Sequence, residues 1–386
     1  MIWTPETVAA VPLSLYLHWP WCVRKCPYCD FNSHAISAAV SDEEYVDLVL
    51  KDLSAWRNRT DGRVISTVFV GGGTPSLMSP AALGRLLEGA EKQFGFAPDC
   101  EITLEANPGT VDEGRFRGFR AAGVNRLSLG VQSFMDEKLR VLGRIHSSAE
   151  ALRAAGHAAE VFDNFNLDLM FALPGETLDE AVWEVETALS TGATHLSFYQ
   201  LTVEPGTAFA KRTPEGLPDE DLSADMADAV AGGLEAAGFE HYEVSGYARP
   251  GRRCRHNLNY WTFGDYLAAG AGAHGKLTTT EGVVREMRFL SPRRWRTAVT
   301  ETGSGIEERH TVTADDMPFE FMLNVLRLSD GVPSDLFEAR TGLSLSVIEP
   351  VVSRLQSEGL LEADVSVIRP TNRGRAFLSE VQEAFL

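Results

Sequence analysis

Short apolar, β-branched runs alternate along the first half of the chain with stretches whose apolar residues recur at helical spacing. The runs "LSLYLHW" (13–19), "TVFVGGG" (67–73), "EITLEAN" (101–107), "RLSLGVQS" (126–133), "NLDLMFALPG" (166–175) and "HLSFYQL" (195–201) predict six strands. Between them, "DEEYVDLVLKDLSAW", "PAALGRLLEGAEKQF" and "LDEAVWEVETALSTG" predict amphipathic helices. Strands that alternate with helices imply parallel βα units, whose ligands gather at the strand C-terminal ends. We read residues 1–205 as an α/β partial (β/α)6 barrel; periodicity alone leaves an open doubly wound sheet as the alternative.

Beyond residue 205 the pattern changes. The Pro-, Gly- and charge-rich "TVEPGTAFAKRTPEGLPDED" (202–221) reads as a crossing loop. A helix, "LSADMADAVAGGLEAAGF", and a strand, "YEVSGYA", follow it. Residues 206–299 read as an extension of the barrel, and "TETGSGIEERHTVTADD" (300–316) as a linker. The segments "MPFEFMLNVLRL", "PSDLFEARTG" and "LSVIEPVVSRLQSEGLL", with the run to the C-terminus, predict a winged-helix-like α+β domain within 300–386.

Charge narrows the function classes. The 386-residue chain carries 35 Lys and Arg against 54 Asp and Glu, a net charge of −19. Residues 313–386 hold twelve acidic and six basic side chains. Winged helices invite a DNA-binding reading, but counterion release needs clustered Lys and Arg, so no nucleic-acid partner is expected. No apolar run reaches the length of a membrane span, and the N-terminus lacks the signal-peptide pattern, so the expected location is cytoplasmic.

Three of the five cysteines, Cys22, Cys26 and Cys29, crowd into "WCVRKCPYCDFNSH". In a reducing compartment such spacing points to metal. Zinc would need a fourth ligand, with His18 or His34 within reach. A [4Fe–4S] cluster held by three thiolates would leave one iron open. "VFVGGGTPSLM" ends a strand in three glycines without the Lys-Ser/Thr of a P-loop. Glu105 and Gln132 close the next two strands, Arg144 lies on the helix after them, and Asp168 sits within "NLDLMF".

The C-x3-C-x2-C spacing, with Tyr28 before the third cysteine, resembles the radical S-adenosylmethionine superfamily. That resemblance implies a [4Fe–4S] cluster on Cys22, Cys26 and Cys29. It also implies S-adenosylmethionine contacts at Tyr16, Tyr28, Gly72, Gly73, Thr74, Glu105, Gln132, Arg144 and Asp168. It narrows to the coproporphyrinogen dehydrogenase branch over nearly the whole chain. Phe31 stands where the true dehydrogenases carry a further cysteine, and only 21 residues precede Cys22. "HNLNYW" (256–261) matches the HNxxYW motif of the HemW-type haem chaperones. The implied function is binding of haem and its delivery to haem-containing respiratory proteins at the membrane. The alternative is oxidative decarboxylation of coproporphyrinogen III to protoporphyrinogen IX.

His256 and Tyr260 stand four apart and share a helix face, which makes both candidate haem ligands. Arg252, Arg253 and Arg255 are a local basic cluster suited to the two propionates. "GAGAHG" (270–275) spells a dinucleotide fingerprint but lacks the first-βα-unit setting; His274 within it is a second candidate haem ligand. Cys100 and Cys254 read as structural.

Overall fold

The computed structural model describes residues 3–36 and 41–386. All six expected strands form: β1 (Leu13–Trp19), β2 (Ile65–Gly72), β3 (Phe96–Ala106), β4 (Arg126–Gln132), β5 (Phe165–Phe171) and β6 (His195–Gln200). Each is parallel to the next. Helices cover the outer face. The helix Pro80–Phe94 starts where local chemistry places it, with the Ser79 hydroxyl accepting from Ala82 N–H and Pro80 in the first turn.

The period-2 pattern sorts the two faces. Leu15, Leu17, Val68, Val70, Leu104, Leu127 and Leu167 are buried against the helices. The opposite face is polar: one row runs Glu105, Ser128, Asn166, His195 across β3 to β6, and the row above it Gly130, Asp168, Ser197. A polar row inside a barrel stays stable only when its groups are paired. Asn166 donates to Ser128 Oγ and Asp168 Oδ1, and Ser128 donates to Asp168 Oδ2.

Four more strands extend the sheet beyond β1: β7 (Asp265–Ala269), β8 (His274–Thr279), β9 (Gly282–Arg288) and β10 (Ile306–Thr311). β7 runs parallel to β1, and the rest are antiparallel. Two corrections follow for residues 206–316. The segment read as a linker carries β10, because its IEERHT run supplies an edge to β9. The single strand "YEVSGYA" is instead a hairpin of Glu240–His241 and Gly246–Ala248, since Glu243 and Ser245 fold the chain back between them. The crossing loop also contains a short helix, Ala208–Lys211.

A second apolar core gathers Phe321, Met322, Val325, Phe337, Ile348, Leu355 and Ile368 from the C-terminal helices and their two-stranded wing. Trp3, Val8 and Val11 pack into this core rather than the barrel's, so the first residues of the chain clamp its two ends together.

Candidate functional site

A cavity of ≈ 400 Å³ opens at the C-terminal ends of the strands. Cys22, Cys26 and Cys29 line it together with Tyr28, Gly72, Gly73, Thr74, Glu105, Gln132, Arg144 and Asp168. Eight of the nine residues expected around S-adenosylmethionine therefore meet the three thiols in one space. Tyr16 is the ninth; it lies beside the cavity on β1, its hydroxyl 2.9 Å from His18 Nδ1 and its ring stacked on Phe69.

The cysteine loop is held from several sides. Cys29 N–H donates to Cys26 O (3.2 Å), and Cys29 Sγ lies 3.5 Å from Ser33 Oγ. Arg144 reaches Cys26 Sγ at 3.6 Å and donates to Gly130 O at 2.6 Å. Phe209, on the short helix of the crossing loop, donates its N–H to Pro27 O and packs against Tyr28. Burial, and then the neighbouring Cys26 and Cys29, push the Cys22 thiol up. Three thiols converging on one cavity, with a guanidinium beside one of them, suit an iron–sulfur cluster.

The glycine run has a steric reason that spacing could not reveal. Gly72 has φ +117, and a Cβ there would lie 2.6 Å from the His18 ring and 2.7 Å from Trp19 O. At Gly73 a Cβ would lie 2.5 Å from Trp21 O. The loop is pinned by Gly73 N–H to Trp19 O (2.6 Å) and Thr74 N–H to Trp21 O (2.7 Å). It thus sits against the backbone that leads into Cys22. Gln132 adopts φ +71, a conformation costly for a non-glycine residue, where β4 shifts register against β5.

Glu105 accepts from Gly72 N–H (2.9 Å). Burial and then Asp168 push its carboxyl up to about 8. Burial also raises Asp168, against the bonds from Ser128 and Asn166. Ser128, Met170 and Tyr199 line the cavity as well and were not singled out from sequence. Their alternation in "RLSLG", "DLMF" and "SFYQ" was the available signal.

The HNxxYW segment lies elsewhere. It forms the helix Arg255–Trp261 beneath the cavity, with Glu101 accepting from the N–H groups of Arg255 and His256. His256 is wholly buried; Nδ1 meets Thr67 Oγ1 at 2.8 Å and Nε2 meets Tyr260 Oη at 2.8 Å. Burial and then Arg126 push its imidazole down to about 3. Both nitrogens are engaged, so neither His256 nor Tyr260 presents a free ligand atom here. Trp261 and Leu258 pack on the second core, and Arg327 lies over the Trp261 ring. Two of the three clustered arginines are likewise paired, Arg253 to Glu240 and Asp330 and Arg255 to Asp99, while Arg252 lines a surface cavity beside them. His274, at the start of β8, is exposed.

Residues 16–187 match the Radical SAM superfamily, and residues 312–377 the HemN C-terminal domain. The chain is 46% identical to the Heme chaperone HemW of Escherichia coli, over 97% of this chain and 98% of that one. It is 44% identical to the Heme chaperone HemW of Haemophilus influenzae, again over 97% and 98%. The chain belongs to the HemW family. Its fold is also that of the coproporphyrinogen III oxidase (HemN) from Escherichia coli, with a TM-score of 0.83 at 23% identity over 98% of this chain and 92% of that one. The HemW relatives are matched from end to end, so the family covers the cavity, the Arg255–Trp261 helix and the C-terminal unit alike. Among the described residues no helix is long and apolar enough to cross a membrane.

Proposed function

We propose that this chain is a haem chaperone that carries a [4Fe–4S] cluster on Cys22, Cys26 and Cys29, binds S-adenosylmethionine at the strand ends, and passes haem to haem-containing respiratory proteins. The full-length likeness to HemW proteins carries this reading. The convergence of three thiols, the glycine loop and the Glu105–Asp168 pair on one cavity supports the cluster and its ligand. When bound, the cluster supplies one open iron and an electron. The chain's own groups would orient S-adenosylmethionine: backbone at Gly72 and Gly73, carboxylates at Glu105 and Asp168. The test is anaerobic reconstitution with iron and sulfide, followed by separate assays of haem retention, haem transfer to the apo form of a respiratory haem protein, and coproporphyrinogen turnover. Retention and transfer without sustained turnover are expected; repeated turnover to protoporphyrinogen would favour the dehydrogenase reading.

Glu105 gives the ligand site a pH signature. Raised to about 8, its carboxyl is protonated at pH 7 in the free protein. A cationic sulfonium or ammonium group nearby favours the ionised form, so binding releases a proton. Affinity should therefore rise with pH between about 6 and 8, by at most about tenfold per unit, and flatten above that. Calorimetry at pH 7 in buffers of different ionisation heat reads the proton directly. A proton count of zero would remove Glu105 from the site.

A further inference from the structure

The chain has nine histidines. His18, His195 and His256 are bonded at both ring nitrogens, and His34, His146 and His241 at one. His157 and His310 lie beside Glu160 and Glu308. Among the described residues His274 is the one exposed histidine with neither a hydrogen bond nor an ion pair.

Its surroundings are built rather than incidental. Two of the "GAGAHG" glycines serve close approach, Gly270 to β1 and Gly272 to the loop after Cys29. Gly270 has φ +105, and a Cβ there would lie 2.4 Å from His18 O; Gly272 has φ +82, and a Cβ there would lie 2.2 Å from Asn32 Nδ2. Asn32, between Cys29 and His34, donates to Ala271 O (3.0 Å) and Leu290 O (2.9 Å). The turn that carries His274 is therefore tied to the loop that carries the thiols.

Register gives the second half of the site. His274 pairs with Met287, and Met287 with Glu308. Tyr266 pairs with Lys276, which sets His274 level with Ala268, and Ala268 pairs with Tyr16. One row thus runs from Tyr16 past His274 to Met287 on one face of the sheet. The register of β9 against β10 shifts between Met287 and Arg288, directly across from His274; such irregularities re-aim side chains beside functional sites. Phe31, 65% exposed, and Leu290, 50% exposed, flank the Asn32 link and give the rim an apolar edge.

We propose that His274 is the axial ligand through which this chain holds haem iron, with Met287 beside it and Phe31 and Leu290 against the porphyrin edge. The assignment rests on the haem-chaperone reading. It makes the Arg255–Trp261 helix a strut between the barrel and the second core rather than the ligand source. Residues directly opposite on one sheet face stand side by side. Met287 therefore lies next to His274 on that face.

The experiment titrates haemin into the full-length, cluster-reconstituted chain and follows the Soret band in both oxidation states. His274→Ala should weaken binding about tenfold or more and shift the band, with iron–sulfur absorbance unchanged. In His274→Gly, added imidazole should restore the parent band. His256→Gln should leave the band position where it was. A His274→Ala variant that binds like a haem-binding parent would overturn this assignment alone. A parent that binds no haem would overturn the functional reading and the assignment with it.

Discussion

Replacing any one of Cys22, Cys26 or Cys29 with alanine is expected to reduce bound iron and sulfide to background after anaerobic reconstitution, with loss of the visible absorbance and of the paramagnetic signal of the reduced protein. Each thiol has its own structural support, so none can stand in for another. Cys22 is buried beside His34 O, Cys26 faces Arg144, and Cys29 closes a turn back to Cys26 beside Ser33. The other two cysteines cannot substitute either. Cys100 and Cys254 are buried, and Cys254 contacts Glu101 beneath the cavity. A cluster with three thiolates and an open iron has no protein ligand to spare. The fold should persist in these variants, because the loop is also tied down through Asn32, Pro27 and Gly143. Iron, sulfide and zinc analysis makes the check; stoichiometric zinc without iron in the parent would sink the cluster.

The largest effect on stability should come from Asp265. It begins β7, is fully buried, and meets Arg63 (2.7 Å), Lys276 Nζ (2.9 Å), Thr278 N–H (2.8 Å) and the Thr278 hydroxyl (2.8 Å). Asp265→Ala leaves two buried cations without their shared counter-charge, and breaking such a pair costs about 3–5 kcal/mol. The denaturation midpoint measures it; a loss below about 1 kcal/mol would show that the charges relax to solvent. Burial works to raise the Asp265 carboxyl, but Lys276 and Arg63 hold it below its ordinary value. Its contribution is thus present above the unfolded-state value and lost as pH falls through the lower folded one.

The barrel was legible because each βα unit is a local object. The helix Pro80–Phe94 carries its own cap and proline, and the six strands carry their own alternation. The cavity residues followed, since they end consecutive strands. The sheet extension was less legible. β7 pairs with β1 across about two-thirds of the chain, and no local pattern announces such a contact. β8 and β9 did carry a hairpin signal in "LTTTEGVVREM", outside the βα pattern. The bonding of the HNxxYW helix was not legible for a physical reason. Its four-residue spacing does put His256 and Tyr260 on one face, but His256 Nε2 meets the Tyr260 hydroxyl and Nδ1 meets Thr67, a partner distant in sequence. Arg253 and Arg255 were similarly paired to acids distant in sequence, Asp330 and Asp99.

The strand β10 leaves the sheet unfinished on one side. Its residues are exposed from Glu307 to Thr311, and its outer backbone groups offer a template for another chain to pair with. The sequence along this edge, Glu307, Glu308, Arg309 and His310, places a charged or ionisable group at every step and no aliphatic one. A second copy adding itself edge to edge would have to desolvate the charges of Glu307, Glu308 and Arg309. The acidic excess of the whole chain adds repulsion, which weakens as salt screens it. The same stretch that completes the sheet thus works as a fence, keeping an open β-edge from nucleating fibres or mixed aggregates while leaving the His274 rim, two strands inward, uncrowded.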